Sequence, residues 1–316
     1  MTNQPTLVLV HGSWHRGVCY DPIVKLLQGE HGLKCIAVDL PSTSNNPEAS
    51  FKDDIDVTQD AIRSETTAGR DVIVIAHSYG GMVGSSAIKG FAKPKTEATE
   101  SDNGHVIGFI LIASGCNMAG LAFMDPFFGI PPPSWRVNKE TGYAELTVSP
   151  RDLFYHDVPE EEAEYWVSKL TSQSLKALFE GGEYSYPGWQ DVPVWYIGTT
   201  EDHGLPVVAQ RMGIGLARQM GAVIEHREMR TSHSPFLSQP KETVEIIVQA
   251  VEAFTGRPVE AKPAGKEPPK GVTVPAVRIL QPLSWFRFGL PMAFGRMMGA
   301  GFLFVGWWKR AFGRSK

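Results

Sequence analysis

"IVIAHSYGGMV", residues 73–83, carries the decision about the fold. Val72 through Ile75 are β-branched and apolar, the pattern of a strand covered on both faces. The run stops at Ser78, and Gly80, Gly81, Gly84, Ser85 and Ser86 follow. With so little side chain, a helix starting there can press its first turns against the sheet. A sharp strand-to-helix turn puts Ser78 at the apex, its hydroxyl exposed and a helix N-terminus beneath it to favour developing negative charge. The usual pattern of such a turn is Gly-x-Ser-x-Gly, and this chain has Ala76 where the first glycine belongs. A serine that merely caps a buried helix is the alternative reading of the stretch.

Outward from Ser78, strand-like runs occur at 7–11, 34–39, 71–76, 106–114, 192–198 and 222–229, with helical or loop stretches between them. That alternation predicts a mostly parallel central sheet flanked by helices. The fourth and fifth runs are separated by an insertion rich in Phe, Trp, Tyr and Pro, a cap at about 115–190. It holds a helix candidate at 158–171 and a short hairpin around Thr141-Gly142, and its aromatic residues suit an apolar pocket or the cap's own core. Residues 93–104 are polar and read as a solvated loop.

A serine hydroxyl is a weak nucleophile unless a base takes its proton and a carboxylate orients that base. Of nine histidines, His233 alone falls in a loop after the last strand and before a helix candidate at 239–255. Strand ends converge on the crevice of an open α/β sheet, so the carboxylate belongs at another one. The stretch GTTEDHGLP offers Glu201 and Asp202, and Asp202 is the choice. The chain order is then Ser78, Asp202, His233, which is the order of the α/β-hydrolase fold. An oxyanion needs two backbone N–H donors. The residue after the serine, Tyr79, supplies one, and Ser13 in the loop HGSWHRG supplies the other, with Trp14 and His15 as candidates for the pocket wall. His11 reads equally as pocket residue and as packed, satisfied histidine.

The pieces LVLVHGSWHRGVCY, IAHSYGGMV, FYHDVPEEEAEYWVSKL, YIGTTEDHGLP and TSHSPFLSQP together resemble the α/β-hydrolases of the esterase and hydroxynitrile-lyase group, which includes plant methyl-ester hydrolases and bacterial and fungal relatives. The resemblance spans about residues 5–256. It implies an α/β-hydrolase fold with a cap inserted before the acid-bearing strand, Ser78 as nucleophile, Asp202 as acid, His233 as base, Ser13 and Tyr79 amides as oxyanion donors, and no cofactor. Hydroxynitrile lyases of the group carry a lysine directly after the catalytic histidine, whereas this chain has Ser234, which argues for hydrolysis. No HExxH or paired Cys-x-x-Cys occurs, so no metal site is expected, and GIGLARQMG at 213–221 follows no strand and lacks the third glycine of a dinucleotide fingerprint.

Composition sets the frame. The chain has 316 residues and a net charge of −4, unevenly spread: from Arg257 onward 11 Lys/Arg face 2 Asp/Glu, a surplus of +9, and the rest carries −13. A hydrolase domain over 1–256, a Pro/Lys-rich linker over 257–275 and a basic, apolar-aromatic tail over 276–316 are expected. So acidic a body is not a nucleic-acid binder. Three scattered cysteines and the start MTNQPTLVLVHG point to an intracellular, cytoplasmic, reducing context. In the tail the uninterrupted apolar run 297–308 is 12 residues, about 18 Å as a helix against roughly 30 Å of hydrocarbon. Reaching back to Phe288 gives 21 residues but includes Arg296, so an interfacial anchor and a marginal tail anchor both stay open. Residues 285–316 are thus the candidate membrane contact, and nothing fixes the oligomeric state. The expected function is hydrolysis of a small, largely apolar ester, lactone or thioester through an acyl-enzyme on Ser78. The alternatives are a lyase, thioesterase or cyclase step of specialised metabolism in the same pocket, and a ligand-binding receptor on a hydrolase scaffold.

Overall fold

The structure is a computed structural model that describes residues 4–94, 103–259, 262–278 and 280–312. The middle of the expected polar loop, 95–102, lies outside the described residues. The chain begins with β1 (Thr6–Val10), α1 (Asp21–His31), β2 (Cys35–Val38), α2 (Phe51–Thr66), β3 (Val72–His77), α3 (Gly80–Ala87) and β4 (Val106–Ile112). The insertion follows, with hairpin strands β5 (Trp135–Asn138) and β6 (Tyr143–Leu146) and helices α4 (Pro150–Phe154), α5 (Glu160–Val167) and α6 (Leu175–Phe179). The sheet resumes through β7 (Val194–Thr199), α7 (Val207–Gln219), β8 (Ile224–Met229), α8 (Pro235–Ser238) and α9 (Pro240–Thr255). Last come β9 (Val272–Thr273), α10 (Pro282–Ser284), a π-helical turn at Trp285–Gly289 and α11 (Leu290–Phe312).

Seven strands form one sheet in the order β2-β1-β3-β4-β7-β8-β9. All neighbours pair in parallel except β9, which lies antiparallel along β8. Every residue of β1 and β3 is buried, as their unbroken apolar runs require. The crossover from β1 to β2 leaves in one direction and those from β3 to β4 and β7 to β8 in the other. Right-handed crossovers then place α1 on one face and α2, α3 and α7 on the opposite one. The reversal falls between β1 and β3, so the ligand crevice of such a sheet opens at their carboxyl ends. Ser13 and Ser78 follow those two ends.

Where composition predicts an extended linker, the described residues run against the body. Glu252 Oε1 accepts the Val259 and Ala264 amides at 3.0 and 2.8 Å, and Lys262 pairs with Glu30 at 2.6 Å. Further along, Val272 and Thr273 add the edge strand to the sheet.

Candidate active site

Ser78 stands in the left-handed region at φ 53°, which a non-glycine residue holds only when its surroundings fix it. Those surroundings come from the end of β4. The Ser78 amide donates to the Ile112 carbonyl at 3.1 Å, and the Ser78 carbonyl accepts the Ser114 hydroxyl at 2.6 Å and the Gly81 amide at 2.9 Å. Gly80 lets α3 close on β1, since a Cβ there would lie 2.3 Å from the His11 carbonyl oxygen and 2.5 Å from that of Val10. Ala76, the departure from the usual turn pattern, is accommodated by the helix: its methyl faces Gly84, where an added Cβ would come within 3.1 Å. The turn therefore keeps its shape with one glycine moved eight residues along the chain.

Asp202 and His233 meet at the ends of β7 and β8, where the His233 carbonyl is bonded to His77, the residue before Ser78. His233 Nδ1 donates to Asp202 Oδ2 at 2.8 Å, and an ionised carboxylate can only accept, so the proton is on Nδ1 and Nε2 is left for a serine proton. Asp202 also accepts the Thr199 hydroxyl at 2.6 Å, Gln210 Nε2 at 3.1 Å, and the Gly204 and Leu205 amides at 2.7 Å each. Burial works to raise its pKa, but the facing His233, the Thr199 hydroxyl and the Leu205 amide outweigh burial and hold it below the ordinary value. Glu201, the neighbouring carboxylate, turns outward to Arg230 at 2.6 Å.

The loop after β1 presses on the serine, as a Cβ on Gly12 would sit 2.8 Å from Ser78 Cβ. Ser13 is buried there, and its carbonyl accepts His15 Nδ1–H at 2.7 Å. Since Nδ1 donates, His15 Nε2 is the acceptor for the Tyr155 hydroxyl at 2.7 Å. Burial drives the His15 pKa down to about 3, so the ring is neutral in this role. On the other side Tyr79 is fully buried, and its phenol donates to Asp54 Oδ2 at 2.7 Å. Asp54 is presented by α2, which starts at a capping box between Ser50 and Asp53. Burial raises the Asp54 carboxyl to about 6 against hydrogen bonds from Ser42 and Tyr79.

The three residues expected at the pocket wall fare differently. His11 has no exposed surface; its Nε2 accepts the Leu40 amide at 3.2 Å and its Nδ1 donates to the Gly12 carbonyl at 2.9 Å. Both nitrogens are thus committed to backbone, and His11 braces the loop and offers nothing to a ligand. Trp14, at φ 61°, ties body to cap: its indole donates to the Ala144 carbonyl at 2.9 Å, and its carbonyl accepts the Thr171 amide at 2.7 Å. It borders a groove of ≈ 600 Å³ with Thr141, Tyr143 and Ser172, whose lining contains no triad side chain. His15 lies at the site, 5.8 Å from the His77 ring and 5.2 Å from the Phe154 ring.

Sequence reasoning missed His77, Phe154 and Asp157. His77 Nε2 donates to the His233 carbonyl at 2.9 Å and so fixes the backbone at that residue. Phe154 lies 5.8 Å from the His233 ring, its carbonyl accepts the Ser232 hydroxyl at 2.9 Å, and Asp157 Oδ2 accepts the Ser232 amide at 2.9 Å. The cap thereby holds the loop that carries His233. The motif FYHD was visible, but only the fold shows which loop it covers. Among the described residues no group of three or more His, Cys, Asp or Glu is arranged to hold a metal ion.

Comparison with known proteins agrees with this fold. Residues 7–246 match the family described as Alpha/beta hydrolase family. Alpha/beta hydrolase nvfD of Aspergillus novofumigatus is 24% identical over 262 residues, 81% of this chain and 99% of its own. Methylesterase 18 of Arabidopsis thaliana is 26% identical over 270 residues, 78% of this chain and 97% of its own. Among solved structures, a pyrethroid hydrolase from Sphingobium faniae JZ-2 superposes with a TM-score of 0.59 at 19% identity, over 80% of this chain and 99% of that one.

Proposed function

The chain belongs to the alpha/beta hydrolase family, and from that premise we propose that it is a serine hydrolase that cleaves a small, largely apolar carboxylic ester through an acyl-enzyme on Ser78. The observation that carries the proposal is the 2.8 Å His233–Asp202 hydrogen bond buried beside a serine held at φ 53°. Ser78 Oγ attacks the ester carbonyl while His233 Nε2 accepts its proton. Asp202 holds the ring in the Nδ1–H tautomer and stabilises the imidazolium that forms. The amides of Ser13 and Tyr79 receive the oxyanion, each such donor contributing on the order of 3–4 kcal/mol in a comparable site. His233 then protonates the departing alcohol, and water, activated by the same ring, releases the acid.

An apolar acyl group is favoured by the aromatic wall of Phe154 and Tyr155, both buried against the site. Position 234, directly after the base, carries a buried serine, so no cation stands there to hold a leaving cyanide. Hydrolysis is accordingly preferred to elimination. The test is labelling of purified protein by a fluorophosphonate probe with Ser78→Ala as control, followed by a p-nitrophenyl ester chain-length series. Labelling that vanishes in the variant, with turnover of short or medium esters, is expected. A folded wild type that takes no label would overturn the proposal and move a binding role on the same scaffold to the front.

A further inference from the structure

Among the described residues, Pro282–Val305 is the one helical stretch long and apolar enough to cross a membrane. How α11 is attached decides between crossing and lying flat. It is seated on α7 backbone to backbone: a Cβ on Gly295 would lie 1.9 Å from the Met212 carbonyl oxygen, and one on Gly215 2.2 Å from that of Met292. Gly299 similarly meets the Leu216 carbonyl oxygen at 2.9 Å. Small residues four apart permit this closeness. A polar latch adds specificity, since Arg211, paired with Glu228 through two bonds of 2.7 and 2.8 Å, donates to the Arg287 carbonyl at 2.8 Å.

The side of α11 away from this seam is apolar. Leu290, Phe294, Met297, Phe304 and Trp308 recur at spacings that keep them on one stripe, and each is 50–67% exposed. Past Gly299 the helix outruns α7, and Phe302, Leu303, Phe304 and Val305, which point in successive directions around the axis, are all exposed. Residues 276–316 contain seven Lys/Arg and no Asp/Glu, while the rest of the body is acidic. Arg296, on the flank of the stripe, lies close enough to Arg218 for the two guanidiniums to repel. Such a strip complements anionic headgroups, and a second copy of the same strip would repel it.

Length completes the argument. The nine residues from Ala300 to Trp308, before Lys309 and Arg310, rise about 14 Å as a helix, short of the roughly 30 Å of a hydrocarbon core, and the residues before them are fixed on α7. We propose that α11 is a one-leaflet anchor: it lies in the headgroup–acyl boundary of an anionic lipid bilayer, stripe inward, with its basic side chains reaching the headgroups.

The test is flotation of the full-length protein with phosphatidylcholine vesicles, with and without phosphatidylserine. Binding is expected with phosphatidylserine, falling as salt rises, and released by alkaline carbonate. The double variant Met297→Glu, Phe304→Glu, both exposed positions, should lose at least tenfold in bound fraction while keeping the wild-type melting temperature and far-ultraviolet circular dichroism. Absence of binding to either vesicle overturns the proposal. So does a dimer that stays off vesicles and is dissolved by the same variant, which would assign the stripe to a second copy. Resistance to carbonate would overturn the one-leaflet geometry.

Discussion

A methyl group at position 80 would strike two backbone oxygens, at 2.3 Å and 2.5 Å, and backbone atoms have nowhere to go. Relief has to come from α3 moving off β1, which carries the Tyr79 amide away from the Ser13 loop. Gly80→Ala is therefore expected to cost about 1–3 kcal/mol of stability, as overpacking does, and to lower kcat on a p-nitrophenyl ester more than tenfold. Thermal melting and steady-state kinetics on the same preparation check this. A variant with wild-type kcat would show that the spacing of the two amides is set elsewhere. Gly84 has the complementary role, giving Ala76 its space, so the missing first glycine of the serine turn is a local trade between two residues eight apart.

At the scale of elements, the cap reaches the Ser13 carbonyl through a chain of hydrogen bonds that runs from Tyr155 through His15. Tyr155→Phe leaves a buried ring nitrogen without its donor, a loss of about 1–3 kcal/mol, and loosens the loop that presents the Ser13 amide. A fall in kcat of about tenfold with KM little changed is expected, since that amide acts on the oxyanion and not on the resting ester. Melting lowered with kcat intact would confine the link to packing. The same elements show what could be read in advance. Strands β1 and β3 were legible because their unbroken apolar runs are buried throughout, and the hairpin because Gly142 sits at φ 75° in its turn. The meeting of residues 202 and 233 was legible from their places in loops after strands, and the two are bonded at 2.8 Å. The edge strand β9 was not, being two residues long and formed only by docking on β8. Nor were His77 and the 154–157 segment, whose roles depend on which loops the tertiary fold lays together. The glycines of GIGLARQMG had no visible purpose until α11 was seen resting on Gly215.

For the whole molecule, buried histidines set the response to acid. Burial lowers His11 to about 4 and His15 and His226 to about 3, from an ordinary 6.5. Between pH 6.5 and those values the unfolded chain binds protons that the native one refuses, so stability falls as pH drops, by roughly 1.4 kcal/mol per pH unit for each proton taken up. Asp54 works in the opposite sense: raised by burial from 3.8 to about 6, it contributes stability below 3.8 that is lost as pH rises through 6. Three histidines outweigh one carboxyl, so the melting temperature should decline from pH 6.5 to pH 4, and Asp54→Asn should steepen the decline. A melting temperature that is level across this range would contradict the neutral state of these rings. The placement of the cap has a consequence for descent. The groups assigned to the proposed reaction hang from the ends of four strands scattered along the chain, whereas most of the wall that covers them is one continuous stretch between β4 and β7. Lineages can therefore replace that stretch, by point changes or by exchange of a single gene segment, and acquire new substrates while inheriting the reaction intact.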